Sequence, residues 1–165
     1  TEAFTTWQRY CWYADDPPVS KLVATALVQR RLDERERAAY DAPFPSPQFK
    51  SAVRAMPRRV PLLDDDESNA ANAAAWRVLS RFDKPLLCAF GDSDRILGSF
   101  HKVFKQRVPG ARGQPHVTLR GGGHFVQEDC GEALAHTVAA FVLNHTARRG
   151  GGGGDRRRRR ARARL

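Results

Sequence analysis

The sequence lacks a long apolar run and a cysteine pattern, and each absence excludes a class of protein. The most apolar segments, around residues 22–28 and 133–143, fall short of the roughly 18 apolar residues that a membrane-spanning helix needs. No charged segment leads into an apolar run, as a secretory signal would. Cys11, Cys88 and Cys130 are scattered and offer no zinc-ligand spacing, which predicts buried thiols in a reducing compartment. We expect a cytoplasmic protein with no metal and no membrane partner.

The positive charge is concentrated at one end of the chain. The formal net charge is +10, but the nine arginines and one aspartate from Arg148 onward account for +8 of it. Five glycines, 150–154, precede most of these arginines. This composition predicts a disordered Gly/Arg-rich tail over 147–165. No aromatic residue lies among the arginines, so nucleic-acid binding by the tail would be non-specific.

Residues 1–82 have the pattern of short helices joined by proline-rich loops. Phe4, Trp7 and Cys11 fall at helical spacing. Asp33, followed three residues later by Glu36, has the spacing of a capping box. Further helices are predicted over 20–29, 48–56 and an alanine-rich segment to 82 that Ser68 or Asn69 can cap.

From Lys84 onward, strands alternate with helices. Short apolar runs at 85–90 and 116–119 predict two strands, with a helix from Ser99 between them and a long helix over 128–144 after them. This order is the βαβα unit of a parallel sheet. Open parallel sheets usually contain about four strands or more. The shortfall, together with a first residue that is not Met, predicts that the chain is the C-terminal part of a larger α/β domain.

Two polar residues follow the two predicted strands. Asp94 lies just after Phe90 and Gly91, and His124 follows three glycines after the second strand. Side chains at the carboxyl ends of parallel strands meet at one edge of the sheet, where chemistry is usual in such folds. A carboxylate that precedes a histidine in this way is the Asp–His part of a hydrolase triad. The alternative is a turn aspartate beside a surface histidine.

Several motifs together give the chain a family resemblance. Residues 1–143 resemble the C-terminal half of a haloalkane dehalogenase, a member of the α/β-hydrolase superfamily. The matching stretches are Ala3-Phe-Thr-Thr-Trp-Gln8, Ala39-Tyr-Asp-Ala-Pro-Phe-Pro45, Gly91-Asp-Ser-Asp-Arg-Ile96, Arg107-Val-Pro-Gly110 and Gly122-Gly-His-Phe-Val-Gln-Glu128. The resemblance implies an α/β-hydrolase fragment: a helical cap over 1–82, then the last βαβα unit of the parallel sheet over 83–146.

The resemblance also implies an activity and roles for four residues. Haloalkane dehalogenases use no metal or cofactor: a carboxylate displaces the halide from a small halogenated alkane, and an activated water then hydrolyses the ester. His124 matches the base that activates this water, and Asp94 the acid that orients His124. Trp7 matches a cap tryptophan whose indole N–H binds the halide, and Phe4 is expected in the same pocket. The complete enzyme is expected to be a monomer.

The departures from the family pattern leave alternatives open. No nucleophile elbow of the form Gly-x-Ser/Asp/Cys-x-Gly occurs, so the nucleophile is expected N-terminal to Thr1 and the fragment is expected to be inactive. Asp92 competes with Asp94 for the role of the acid. An epoxide hydrolase or an esterase would use the same Asp–His pair. For Trp7, the alternative is a core aromatic residue of the first helix. For the chain, a further alternative is a non-catalytic fragment whose Arg-rich tail binds nucleic acid non-specifically.

Overall fold

A computed structural model describes residues 2–61 and 66–162, and its first half is helical. A capping box begins the third helix as predicted: Asp33 accepts the Glu36 backbone N–H, and the Glu36 side chain accepts the Asp33 N–H. Short 3-10 helices span Pro47–Lys50 and Met56–Arg59, on either side of the fourth α-helix. The α-helices of this part are α1 (Glu2–Tyr13), α2 (Val19–Thr25), α3 (Glu34–Asp41), α4 (Ser51–Ala55) and α5 (Asn69–Leu79).

The beginning of α5 differs from the prediction in its cap. Ser68 precedes Asn69 as expected, but its side chain makes no capping hydrogen bond. The Ser68 hydroxyl is instead bonded to the Asp66 carboxylate at 2.6 Å. The Ser68 backbone is itself close to helical, with φ −80° and ψ −9°. A capping residue usually has an extended backbone, which turns its side-chain oxygen toward the first N–H groups of the helix.

The second half contains a parallel pair of strands, which confirms the predicted α/β unit. Strands β1 (Ala89–Gly91) and β2 (Val117–Leu119) pair with Phe90 opposite Thr118, and helix α6 (Phe100–Arg107) lies in the crossover. The first strand is shorter than its apolar run. The Leu86 N–H donates to Gly110 O and the Cys88 N–H to the His116 ring, so the start of this run bonds to the crossover. Bonding to β2 begins at the Cys88 carbonyl oxygen, which accepts the Val117 N–H at 3.0 Å.

The last helix of the prediction is two helices in the structure. Helix α7 (Val126–Asp129) ends at Cys130, whose backbone leaves the helical region, and α8 begins at Gly131. Helix α8 (Gly131–Arg162) continues into the segment predicted as a disordered tail; residues 163–165 lie outside the described residues.

The core is small, and its residues come from both halves of the chain. Its buried apolar residues are Cys11, Val23, Leu32, Cys88, Val108, Ala111 and Leu119. Cys130 is only half-buried, contrary to the prediction, because it occupies the break between α7 and α8. In the part of the chain that is described, no helix is long and apolar enough to cross a membrane.

Candidate active site

Asp94 lies in the loop that follows β1, and the loop itself fixes one of its carboxylate oxygens. Oδ1 accepts the backbone N–H of Ile96 at 2.8 Å and that of Leu97 at 3.0 Å. The side chain is only 7% exposed. These two hydrogen bonds from the backbone orient the carboxylate, so that its second oxygen, Oδ2, faces away from the turn.

His124 lies in the loop that follows β2, beside that second oxygen. Its Nδ1 is 3.2 Å from Asp94 Oδ2. The imidazole is 29% exposed, so part of the ring is open to solvent. When Nδ1 carries the proton and donates it to Asp94, Nε2 keeps a free lone pair that can accept a proton.

Glycines allow the two loops to approach this closely. A Cβ on Gly91 would lie 2.1 Å from the carbonyl oxygen of Gly122, a distance that no other residue could accommodate without moving the backbone. That oxygen also accepts the Ser93 N–H at 3.0 Å. Gly121 has a φ of +76°, in the left-handed region that favours glycine. The ends of both strands are therefore joined directly through backbone.

Asp92, the second candidate for the acid, has different partners. Its Oδ1 accepts the Gly121 N–H at 2.7 Å and the Ser93 hydroxyl at 2.9 Å. These bonds stabilise the glycine turn that precedes His124. Of the two aspartates after β1, Asp94 is the one that the structure brings next to the imidazole.

Trp7 and Phe4, predicted for the halide and substrate pocket, lie together on α1. Their ring centroids are 5.5 Å apart, and both side chains are half-buried. Helix α1 packs against α4 and the 3-10 helix that follows it. The Gln8 amide on the same helix donates to Pro57 O at 2.8 Å. The structure thus places the two aromatic residues on the helical region, and Asp94 and His124 on the strand-end loops.

Sequence reasoning missed a cluster of residues that joins the helical region to the His124 loop. Asp129 accepts backbone N–H groups from Gly123 and from the segment 28–30. Partial burial raises the pKa of this carboxyl, but these hydrogen bonds outweigh burial and lower it below its ordinary value. Partners about 100 residues apart leave no local spacing signal that could have identified them.

Glu128 belongs to the same cluster and binds two side chains from the helical region. The Tyr40 hydroxyl donates to Glu128 Oε1 at 2.5 Å, and Arg30 forms an ion pair with Oε2 at 3.2 Å. The hydrogen bond to Glu128 raises the pKa of Tyr40. Arg30 also forms an ion pair with Glu36 on α3. The helical region is therefore bound to α7 by an ion pair as well as by hydrogen bonds to carboxylates.

A shallow surface depression lies apart from these residues, between α5 and the end of α6. Its volume is about 570 Å³, and the Arg107 guanidinium lies 4.3 Å from the centre of the Trp76 ring beside it. It contains none of the four predicted site residues. Over residues 2–61 and 66–162, no group of three His, Cys, Asp or Glu side chains could hold a metal ion.

Comparison with known proteins gives consistent matches to one enzyme family. The chain is 40% identical over 139 residues to a haloalkane dehalogenase of Mycobacterium marinum, a match that covers 84% of this chain and 46% of that protein. Haloalkane dehalogenase 1 of Mycobacterium tuberculosis is 41% identical over 138 residues, covering 84% and 45%. A haloalkane dehalogenase of Psychrobacter cryohalolentis is 35% identical over 141 residues, covering 86% and 46%. No family model matches the chain.

These matches and the parallel strand pair define the class of the chain as a segment of an α/β-hydrolase. It spans about half the length of the curated relatives it matches. Within that class the chain is homologous to the C-terminal half of proteins named haloalkane dehalogenase, at 35% to 41% identity.

Proposed function

We propose that this chain supplies the water-activating part of a haloalkane dehalogenase. The observation that carries the proposal is the contact between His124 Nδ1 and Asp94 Oδ2 at 3.2 Å, on the two loops that follow paired parallel strands. The relatives are named haloalkane dehalogenases, which gives the substrate class, a halogenated alkane. The reaction takes place in the cytoplasm, in a monomeric enzyme that needs no metal or cofactor.

His124 acts as the general base on the ester that the first step leaves behind. A carboxylate outside this chain displaces the halide and forms an alkyl ester. Nε2 of His124 then takes a proton from a water molecule, whose oxygen attacks the ester carbonyl and releases the alcohol. Asp94 holds the Nδ1 proton and stabilises the imidazolium that forms.

Trp7 and Phe4 serve the first step from the helical cap, for which we retain the boundaries 1–82. The Trp7 indole N–H is a donor without an acceptor role, which suits a departing halide ion. Phe4, in contact with Trp7, contributes an apolar wall for the alkyl chain. The core segment 83–146 supplies the base and its acid, so the two steps depend on different regions.

A hybrid enzyme tests this function. The residues that precede the matched region in the Mycobacterium marinum relative are joined in front of this chain, and halide release from bromobutane is measured at neutral pH. We expect turnover by the hybrid and none by the 165-residue chain alone. His124→Ala should abolish turnover, whereas His136→Ala, a histidine on α8, should not. A folded hybrid that releases no halide, or a His124→Ala variant that keeps turning over, would contradict the proposal.

A further inference from the structure

The segment between α2 and α3 is attached to the His124 loop through one carboxylate. Asp129 Oδ1 accepts the Gln29 N–H at 2.8 Å and the Val28 N–H at 3.1 Å. Its Oδ2 accepts the Gly123 N–H at 2.9 Å. Asp129 therefore bridges the residue directly before His124 and a segment about 100 positions earlier in the chain.

The same two segments also meet through their own backbones. The His124 N–H donates to the carbonyl oxygen of Ala26 at 3.1 Å. A Cβ on Gly123 would lie 2.4 Å from that oxygen and 2.8 Å from Asp129 Oδ2. The backbone of Gly123 and His124 thus lies between Ala26 on one side and Asp129 on the other, and no space is left for a side chain at position 123.

Further bonds around this contact hold the segment in place. The Gln29 side-chain amide donates to the Arg120 carbonyl oxygen at 2.6 Å, just before the glycine turn. The ion pair between Arg30 and Glu128 lies beside Asp129 on the same helix. Among the described residues, Asp129 is the side chain that bonds both this segment and the residue directly before His124. Its loss would weaken the contact and leave the Gly123 N–H without this partner, while the backbone bond between His124 and Ala26 remains.

We propose that Asp129 is a positioning residue for His124. It fixes the backbone of the His124 loop to the helical region, and so keeps the imidazole next to Asp94. This inference rests on the proposed function, because it concerns the residue assigned there as the base. If Asp129 positions His124, the ester-hydrolysis step depends on the hydrogen bonds of Asp129 between the cap and the core. The halide-displacement step does not depend on these bonds.

Asp129→Asn is the most conservative change that removes this link. The shape is kept, but one of the two acceptor oxygens becomes an NH₂ group that faces backbone N–H donors. Asp41→Asn is a matched control: Asp41 also accepts one backbone N–H and one hydroxyl, both from Ser20, but it lies within the helical region. Both changes remove a carboxylate that binds backbone, and only one of them touches the His124 loop.

The first measurement is the ring signal of His124 in the NMR spectrum of this chain with isotope-labelled histidine. Asp129→Asn should shift or broaden this signal and leave those of His116 and His145 in place, because their rings bond carbonyl oxygens elsewhere. Asp41→Asn should leave all three unchanged.

The second measurement is the rate of each step in the hybrid enzyme. Asp129→Asn should slow ester hydrolysis on the order of 10-fold or more and displacement less than about twofold, since small misplacements of a reacting group are costly.

A second variant keeps the test decisive where Asp129→Asn disturbs folding. Gly123→Ala leaves the carboxylate intact but pushes the same backbone away from Ala26, so it should reproduce the shifted His124 signal and the slowed hydrolysis. Unchanged His124 signals in both variants, or equal slowing of both steps, would overturn the inference. If the unmodified hybrid releases no halide, the proposed function fails, and the ring signal alone decides whether Asp129 positions His124.

Discussion

Two aspartates stand two positions apart after the same strand, and their carboxylates have different partners. Asp92 bonds the glycine turn, whereas Asp94 is nearly buried and reaches His124. The difference comes from the loop, because the backbone N–H groups of Ile96 and Leu97 hold only the Asp94 carboxylate. The residue that orients the base is therefore selected by local backbone geometry.

Replacing each aspartate by asparagine should separate these roles. In the hybrid enzyme, Asp94→Asn should lower turnover on the order of 10³-fold, because an amide no longer favours the Nδ1-protonated form of His124. Asp92→Asn should lower it by less than about 10-fold, since only the glycine turn is loosened. Steady-state halide release measures both. Equal losses in the two variants would contradict the assignment of Asp94.

Trp7 should affect halide displacement, the step in which His124 takes no part. Trp7→Phe removes the indole N–H but keeps an aromatic ring beside Phe4. We expect halide displacement to slow on the order of 10²-fold, because a donor to the departing anion is lost. Ester hydrolysis should keep its rate. Rapid-quench measurement of both steps in the hybrid enzyme checks this prediction. If Trp7→Phe slowed ester hydrolysis alone, the assignment of Trp7 to the displacement step would be wrong.

At the scale of elements, the contact between α2 and α3 depends on one carboxylate. The Ser20 hydroxyl and backbone N–H both bind Asp41, at 2.7 and 2.9 Å, and these hydrogen bonds lower the pKa of Asp41. Ser20 is itself buried. These bonds join the beginning of α2 to the end of α3, and they are stronger while the carboxyl is ionised.

Acid should weaken this contact in a defined direction. A carboxyl whose pKa is lower in the folded state stabilises the fold fully above its unfolded value near 3.8. That contribution is lost as the pH falls through the lowered folded pKa. The urea midpoint should thus drop between about pH 5 and about pH 2. Asp41→Asn should make this drop smaller, and an unchanged pH dependence in that variant would exclude Asp41 as a source.

The elements that depend on neighbours in sequence could be predicted, and those that depend on distant partners could not. The capping box of α3 needs only Asp33 and Glu36, and the strand-end positions of Asp94 and His124 follow from the order of strands and helices. The bonds of Asp129 to the segment before α3 have no local signature. The break at Cys130 was not predicted for a different reason: the apolar periodicity of the sequence continues through it.

At the scale of the whole molecule, much apolar surface remains open. Apolar side chains of α8 are only partly covered, with Val138 45% and Val142 49% exposed. The described sheet has two strands, and parallel sheets are usually covered on both faces. The relatives are about twice as long as this chain, and their additional residues are the part that we expect to cover this surface. We therefore expect the hybrid enzyme to unfold at a higher temperature than this chain.

The central claim is that His124 activates water against an alkyl ester, and the intermediate itself tests it most directly. His124→Phe, in the hybrid enzyme, should still allow displacement but not hydrolysis. After a single turnover with bromobutane, about one equivalent of bromide per enzyme should be released. The intact protein should gain the mass of one butyl group. A variant that binds bromobutane yet shows no alkylated protein, or that completes hydrolysis, would contradict the account.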